Sequence, residues 1–503
     1  MDLNEICKSL AAAGNPNEHC EGFEVISTKE LLMKAESDPY SDVVKKALEM
    51  NGDIEISLYQ HQYDALYALA EGKDVLLISP CGSGKTRVLT NAPLVAKFGF
   101  EIRIRNGESE HPDPKTPLGI ICCPLSAIME DKFKEQEDVG LLTMYGGHKS
   151  KQKETEKTSD SEQDFLSDKI KLIYGHPESF TTLMGKRVLE SNEDRICVYV
   201  TDEVGFNIWG QDFRILMSSV PGSIRVFSPS APLICLSATV GKIEQNKIIE
   251  DLGMNNRPLK IIDYNPVPDH IVVTKLKRPS NQKPFNDEGG LKDVLVDLYL
   301  REFISDPLNC RKAVIFCKNE EDLVNVYEFI EEQIGDNFTD MRRRPWVQYH
   351  SSVGINTMKW IHRRMGEVKL FIATYKLIMG VDIKNIDLAI FIRLAYEIRF
   401  TIKLNNLFVR PPNTIPCLVQ GMGRVGRFES FGSKLAGSIV LYNDEDLKDN
   451  VPGMTDAVRN LLRSSSCLKV QLAAYFGYTF KSEEGWCCFS KECESYAEDL
   501  GQV

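Results

Sequence analysis

The segment Ser79–Thr86, which reads SPCGSGKT, constrains the fold more strongly than any other part of the chain. It comes directly after the apolar run Asp74–Ile78 and before a stretch with helical character. Gly82 and Gly84 let backbone N–H groups approach phosphate oxygens, and the first turn of the following helix adds partial positive charge. The pattern therefore predicts a strand, a phosphate-binding loop and a helix within a parallel α/β sheet.

The side chains at the end of this loop carry the predicted chemistry. Lys85 can reach the β- and γ-phosphates of ATP, and Thr86 can ligate Mg²⁺. Ser83, between Gly82 and Gly84, completes the phosphate cradle. The alternative is a chance Gly-Lys-Thr turn, and the strand–loop–helix context argues against it.

A second apolar run, Val198–Thr201, ends in two carboxylates, Asp202 and Glu203. Asp202 would hold Mg²⁺, and Glu203 would orient and deprotonate the attacking water. An Asp-Glu pair by itself is usually a solvated turn, but the upstream loop favours the functional interpretation. The two motifs together predict ATP and Mg²⁺ as cofactors.

Short runs rich in Ile, Val and Leu alternate with helical stretches along most of the chain, as buried parallel strands do. The predicted strands after the first are Leu118–Cys123, Ile170–Tyr174, Ile196–Thr201, Pro232–Leu236, Ala313–Cys317, Lys369–Ala373, Leu388–Ile392 and Ser438–Tyr442. The rhythm restarts once, so we expect two α/β units in tandem.

Composition shifts suggest the domain limits. Residues 1–50 form an N-terminal extension, 51–274 the first lobe and 291–450 the second lobe. A polar stretch with prolines and glycines, 275–290, is the expected linker, and 451–503 form a small C-terminal subdomain.

The net charge of −12 argues against nucleic-acid binding over the whole surface, but a local basic groove remains compatible with it. No apolar run reaches bilayer length, so we expect no membrane association. The first residues do not resemble a secretory signal peptide, so we expect a reducing, intracellular setting. We therefore expect the 14 cysteines to be free thiols or metal ligands.

Two further segments suit a nucleotide-driven machine. Ser237 and Thr239 follow a predicted strand and could link the nucleotide site to the second lobe. Gln420, Arg424 and Arg427 lie in a glycine-rich turn of the second unit. Arginine makes bidentate phosphate contacts and stabilises transition-state charge, so this turn is a candidate catalytic element; a surface basic turn is the alternative.

The ordered motifs from Leu58 to Cys493 resemble superfamily 2 helicases, and within them the RecQ family in a short form that ends at its zinc-binding subdomain. The resemblance implies two RecA-like domains that clamp ATP between them. It also implies that Gln62 reads the adenine edge and that Tyr59 supports the base.

The same resemblance assigns nucleic-acid contacts. Trp209, Phe213 and Arg214 match the aromatic-rich loop that couples DNA contact to hydrolysis in RecQ enzymes. Thr374 and Asp382 fall in segments that contact DNA and the nucleotide cleft in the second lobe.

The C-terminal cysteines resemble the RecQ zinc-binding subdomain. Cys467 opens a helical stretch, and Cys487, Cys488 and Cys493 follow it. Four thiolates satisfy tetrahedral Zn²⁺. Zn²⁺ is therefore an expected cofactor, with unligated thiols as the alternative.

Family resemblance implies an ATP-dependent DNA helicase that moves 3′ to 5′ on single-stranded and partly duplex DNA, with a nuclear role in repair or recombination. The basic run Arg342–Arg344 is too short to decide nuclear location. Gly205 replaces the family's histidine, and the loop Gly205–Trp209 is one residue short. These departures keep open a nucleic-acid-binding scaffold with little ATP turnover. The nucleotide motifs also permit a second alternative, an RNA-dependent ATPase of the same superfamily.

Overall fold

The computed structural model describes residues 24–52, 57–108, 116–123, 141–144, 165, 167–205, 220, 223–268, 271–277, 284–317, 320–350, 352–374, 386–392, 414–425, 436–449, 451 and 454–480. The chain folds into two compact units: Gly22–Tyr264, which we call the first lobe, and a second that includes Asn265–Val503, which we call the second lobe. None of the helices in these described ranges is long and apolar enough to cross a membrane.

The first lobe is an α/β unit. Its strands are β1 (Val25–Ile26), β2 (Leu58–Tyr59), β3 (Asp74–Ile78), β4 (Leu118–Cys122), β5 (Leu141–Met144), β6 (Leu172–Gly175), β7 (Ile196–Thr201), β8 (Leu233–Ser237) and β9 (Leu259–Asp263). Its helices are α1 (Thr28–Ser37), α2 (Pro39–Met50), α3 (Gln60–Ala70), α4 (Lys85–Arg105), α5 (Pro177–Thr181), α6 (Leu183–Glu190) and α7 (Lys242–Asp251).

Seven described strands of this lobe form one parallel sheet in the order β5-β6-β4-β7-β8-β3-β9. Every residue of β3, β4, β7 and β8 is buried. Such strands are apolar along their whole length because helices cover both faces of the sheet. The continuous apolar runs in the sequence therefore predicted these strands to within a few residues.

The N-terminal helices α1 and α2 belong to the first lobe, which corrects the assignment of 1–50 to a separate extension. Ser41 on α2 shares a 2.7 Å hydrogen bond with the Tyr63 hydroxyl on α3. Just after α2, Asn51 donates at 2.9 Å to the side-chain oxygen of Asn91 on α4. Val44 and Ala47 are fully buried in the same core.

A buried ion pair holds the start of β3. Asp74 is fully buried, and its carboxylate accepts from Arg225 at 2.9 and 3.0 Å. It also accepts from the Leu233 backbone N–H at 2.9 Å, at the start of β8. Hydrogen bonds of this number offset the desolvation of a buried carboxylate. The pair thus joins the two strands that lead into the candidate site.

The second lobe is built in the same manner. Its strands are β10 (Ile271–Lys277), β11 (Ala313–Phe316), β12 (Trp346–Tyr349), β13 (Leu370–Ala373), β14 (Leu388–Ile392) and β15 (Ala436–Tyr442). Its helices are α8 (Leu291–Leu295), α9 (Arg301–Ser305), α10 (Glu320–Ile334), α11 (Ile355–Arg363), α12 (Ile415–Met422), α13 (Asp456–Arg463) and α14 (Leu468–Tyr475), and a π-helical turn, Val296–Leu300, joins α8 to α9. The described strands form a parallel sheet in the order β10-β15-β14-β11-β13-β12.

The predicted boundary at residue 274 falls within strand β10, and the first residues of the predicted linker 275–290 belong to that strand. Strand β10 pairs along its length with β15, so it belongs to the second lobe, and the division lies between Tyr264 and Asn265. Lys275 on β10 donates at 2.9 Å to the carbonyls of Leu461 and Leu462, near the C-terminus of α13. The polar composition of 275–290, with its prolines and glycines, suggested a linker, but the Lys275 ammonium group binds carbonyls at a helix C-terminus.

Candidate nucleotide site

The glycine-rich loop lies between the end of β3 and the start of α4, as the sequence predicted. Gly82 and Gly84 have φ values of 82° and 76°, a region that costs side-chain-bearing residues strain. The hydroxyls of Ser79 and Ser83 are 2.7 Å apart across the base of the loop, and both side chains are buried. This bond holds the loop in a closed turn at the N-terminus of α4.

Lys85 is the first residue of α4, and its ammonium group folds back over the loop. It donates at 2.8 Å to the Ser79 carbonyl and at 2.9 Å to the Pro80 carbonyl. An ammonium group held by neutral carbonyls gains more from phosphate oxygens, because it attracts a full negative charge more strongly than a carbonyl dipole. Thr86 is half-buried in the next position of the same helix turn.

Asp202 and Glu203 form a turn directly after β7. Asp202 is 9% exposed, and its backbone N–H donates to the Cys122 carbonyl at 3.0 Å. Its carboxylate accepts from the Glu203 N–H at 3.0 Å. Glu203 has a φ of 53° and is the one non-glycine residue with positive φ in the part of the chain that the structure describes. Such backbone strain costs about 1–3 kcal/mol and tends to occur at functional sites.

Ser237 and Thr239 lie between these two motifs. The sheet order places β8 between β3 and β7. Ser79 donates its N–H to the Ser237 carbonyl at 3.1 Å, and Thr239 donates its N–H to the Ser237 hydroxyl at 3.2 Å. Three predicted motifs therefore meet at the carboxyl edge of one sheet, where parallel α/β proteins bind ligands.

Gln62 contacts the loop from α3. Its side-chain nitrogen donates to the Gly84 carbonyl at 3.0 Å and to the Ser83 carbonyl at 3.3 Å. Its side-chain oxygen accepts from the Tyr59 N–H at 3.0 Å. Tyr59 and Gln62, which the sequence analysis assigned to the base, are thus placed beside the phosphate-binding loop.

His61 is a site residue that the sequence analysis missed. It is fully buried, and its Nε2 lies 2.9 Å from the Ser83 carbonyl. Its ring stacks on Tyr59 at a centroid distance of 5.6 Å and meets the edge of Tyr264 at 5.5 Å. Burial lowers the His61 pKa to about 4, so the ring is neutral at neutral pH and can donate from Nε2. A single histidine carries no pattern, which is why sequence reasoning passed over it.

The residues of the site fit ATP and Mg²⁺. The loop offers backbone N–H groups, a lysine and a helix N-terminus to phosphates. Thr86 and Asp202 offer the hard oxygen donors that Mg²⁺ prefers. Gln62, which is buried, and Tyr59 lie beside this loop.

The second lobe carries some of the other predicted residues. Thr374 follows β13, and its N–H donates to the carbonyl of Tyr349 at the end of β12 at 3.0 Å. Gln420 is buried within α12, and Arg424 is half-buried in the turn after it. The predicted residues that lie outside the described part of the chain are Trp209, Phe213, Arg214, Asp382, Arg427, Cys487, Cys488 and Cys493.

Of the predicted zinc ligands, the structure describes Cys467, which is buried at the start of α14. Within the described ranges, no group of three or more His, Cys, Asp or Glu side chains is placed to hold a metal ion. The zinc site therefore stays a prediction that depends on Cys487, Cys488 and Cys493.

Comparison with known proteins agrees with this geometry. Residues 59–247 match the family model of the DEAD/DEAH box helicase. The chain is 23% identical over 508 residues to the ATP-dependent DNA helicase Q-like 2 of Arabidopsis thaliana, an alignment that covers 97% of this chain and 61% of the relative. Across the curated relatives that it matches, the chain spans between 29% and 61% of their length.

Solved helicase structures share the fold. The DUF1998 helicase MrfA bound to DNA and AMPPNP superposes with a TM-score of 0.58 at 16% identity, covering 100% of this chain and 65% of that one. Dbp5 of S. cerevisiae bound to RNA and ADP BeF3 superposes with a TM-score of 0.56 at 15% identity, covering 95% of this chain and 99% of that one. The two lobes therefore have the RecA-like fold of these helicase structures, as the sequence predicted.

Fold, site and family model together define the class of the first lobe: a nucleotide-binding domain of the helicase type. More particularly, the match to the DEAD/DEAH box helicase model falls within the first lobe, over residues 59–247.

Proposed function

We propose that the chain is an ATP-dependent DNA helicase of RecQ type that moves 3′ to 5′ along a single strand and separates duplex DNA. The observation that carries the ATPase part is the meeting of the phosphate-binding loop, the Asp202–Glu203 turn and Ser237 at one sheet edge. Relatives named as DNA helicases of the Q-like and RecQ types support the choice of DNA.

The proposal gives a separate role to each residue of the nucleotide site in the first lobe. Gln62 and Tyr59 recognise the adenine base, and Lys85 neutralises charge on the β- and γ-phosphates. Thr86 and Asp202 would hold Mg²⁺, which screens phosphate charge when it is bound. Glu203 accepts the proton of the attacking water.

We assign Arg424 and Arg427 of the second lobe to stabilise the charge that develops on the transferred phosphate, with Gln420 beside them in sequence. Trp209, Phe213 and Arg214 would couple the bound strand to hydrolysis. Contacts to the strand go mainly to phosphates and do not specify sequence. The zinc-binding subdomain and a nuclear role in repair or recombination belong to the same proposal, and both depend on the family resemblance.

The first experiment measures ATP hydrolysis with Mg²⁺ for wild type and Lys85→Ala, with no nucleic acid, with single-stranded DNA and with RNA of the same sequence. We expect DNA to stimulate wild-type turnover strongly and Lys85→Ala to abolish it. A strand-displacement assay on duplexes with a 3′ or a 5′ tail then tests direction. Displacement from the 5′ tail alone would contradict 3′ to 5′ movement.

An RNA-dependent ATPase is the second candidate. It is favoured by the DEAD-box ATP-dependent RNA helicase 53 of Oryza sativa, at 22% identity, and by the fold shared with RNA-bound Dbp5. Stimulation by RNA but not by DNA would establish it. Wild-type turnover no higher than that of Lys85→Ala under every condition would instead support a scaffold, for which Gly205 is the sequence argument.

A further inference from the structure

The run Arg342–Arg344, which the proposed function does not use, lies in a larger cluster of cations on the second lobe. It precedes β12, while Lys369 precedes β13 and Lys312 precedes β11. The paired strands are parallel, so these positions share the amino-terminal edge of the sheet. Thr374 follows the carboxyl end of β13, so the cluster lies at the opposite edge from the predicted helicase motifs of this lobe.

Backbone contacts hold this cluster in place. Arg364, directly after α11, donates its guanidinium to the carbonyls of Arg342 and Arg344. The same guanidinium lies over the ring of Trp360, 5.0 Å from its centroid. Lys369 donates its N–H to the Pro345 carbonyl at 2.8 Å. The cations therefore sit on a preformed surface, which lowers the entropy cost of binding a ligand there.

Carboxylates neutralise only part of the cluster. Arg364 pairs with Glu367 at 2.7 Å, and Arg343 lies 3.7 Å from Asp340 in an exposed pair. Arg344 pairs with Glu331 at 2.8 Å. The exposed 3.7 Å pair with Asp340 is weak, so the Arg343 guanidinium stays available to a ligand, whereas Arg344 and Arg364 are held by closer carboxylates.

The remaining cations face solvent. Arg342 and Arg363 are exposed, and neither has a carboxylate partner among the residues that the structure describes. Lys369 is half-buried. Burial is the main cause that lowers the pKa of Lys312 to about 8; the charge of Lys369 adds to this shift and that of Asp387 opposes it. This local excess contrasts with the chain's net charge of −12.

We propose that Arg342, Arg343, Arg363 and Lys369 form a basic face that binds the phosphodiester backbone of nucleic acid. This contact is separate from the carboxyl edge of the sheet, where the predicted helicase motifs lie. Planar guanidinium groups suit phosphate oxygens, and exposed arginines bind them without reading sequence. The proposal rests on the proposed function only in taking nucleic acid as the partner. The predicted motifs would bind the single-stranded part of the nucleic acid, and the basic face would bind a stretch that flanks it.

The test measures binding of the full chain to a fluorescent partial duplex by anisotropy across a salt series. Wild type is compared with R342E/R343E and with the neutral pair R342Q/R343Q, which avoids repulsion from Asp340. R105E/R301E is the matched control, because Arg105 and Arg301 are exposed in side-chain area by 72% and 68% and lie outside the basic face. Thermal melting confirms that each variant is folded.

The association constant K falls as salt rises, and each phosphate contact makes the slope of log K against log salt steeper by roughly 0.9. The loss of two contacts should therefore make this slope shallower by about 1.8. The same term predicts binding weaker by about 10- to 60-fold at roughly 0.1 M salt. An equal loss of affinity for a matched RNA would confirm that the face binds the backbone that both polymers share. The polymer that stimulates wild-type ATP turnover would then be the natural ligand.

Slopes of both Arg342/Arg343 variants equal to that of R105E/R301E would overturn the basic face as a nucleic-acid contact, and an acidic protein partner would then fit it better. Failure of the proposed function would give a different result. Wild-type ATP turnover would then not be stimulated by nucleic acid, whatever the salt dependence of binding.

Discussion

Gly84→Ala tests whether the phosphate-binding loop and Gln62 act as one unit. Gly84 has a φ of 76°, and a Cβ added there would lie 2.3 Å from the Gln62 side-chain nitrogen. The methyl group cannot share this space, so the Gln62 amide must move. Its hydrogen bonds to the Ser83 and Gly84 carbonyls are then lost, and with them the orientation that we assign to adenine recognition.

The expected magnitude follows from two contributions. Alanine with positive φ costs roughly 1–2 kcal/mol of backbone strain, which mainly lowers stability. A displaced Gln62 loses a polar contact to adenine worth about 1–3 kcal/mol, by analogy with amide recognition of that base. ATP affinity should therefore fall by about 5- to 150-fold, since 1.4 kcal/mol is about a factor of 10. GTP binding should fall less, because Gln62 contributes less to it.

The assay is equilibrium binding of fluorescent ATP and GTP analogues to wild type, Gly84→Ala and Gly107→Ala. Gly107 is the matched control: its φ is 73°, and an added Cβ meets nothing within 4 Å. The control carries similar backbone strain and should keep wild-type affinity and the wild-type preference for ATP. If Gly84→Ala binds both nucleotides as tightly as Gly107→Ala does, the coupling of Gln62 to the loop is refuted.

Glu203→Gln should lower ATP turnover by about 10²–10⁴-fold while nucleotide binding persists, because it removes the general base that we propose. Single-turnover hydrolysis together with analogue binding checks this, and parallel loss of binding would argue for a structural role. His61→Phe keeps the ring but loses a titratable group, so the decrease in melting temperature between neutral pH and pH 5 should be smaller than in wild type. Asp74→Asn leaves the buried Arg225 without its carboxylate and should cost about 3–5 kcal/mol, seen as a lower urea midpoint, whereas Asp297→Asn, in an exposed pair, should cost under about 1 kcal/mol.

The sign of the His61 effect follows from its lowered pKa. The unfolded ring takes up a proton below its ordinary pKa of 6.5, whereas the buried ring does so only near pKa 4. Between these values the unfolded state binds more protons, so stability falls as the pH falls through this window. Identical pH dependence in wild type and His61→Phe would show that the buried ring does not contribute.

The sequence alone determined the local chemistry. The phosphate-binding loop and the Asp202–Glu203 pair are contiguous motifs attached to apolar strands, so both the fold class and their place at a sheet edge could be predicted. Strand β14, Leu388–Ile392, was predicted with its observed limits because continuous burial leaves an uninterrupted apolar run. Such features depend on neighbours within a few residues.

Tertiary structure decided what depends on distant partners. Strand β10 joins the second lobe because it pairs with β15, more than a hundred residues later, and a short apolar run does not specify its partner. His61 became a site residue because the fold brings Ser83 to its ring. The basic face arises from segments that precede separate strands and becomes one surface because parallel strands begin at the same edge of a sheet. Residues far apart in sequence meet only through packing, and a single sequence records no such pairing.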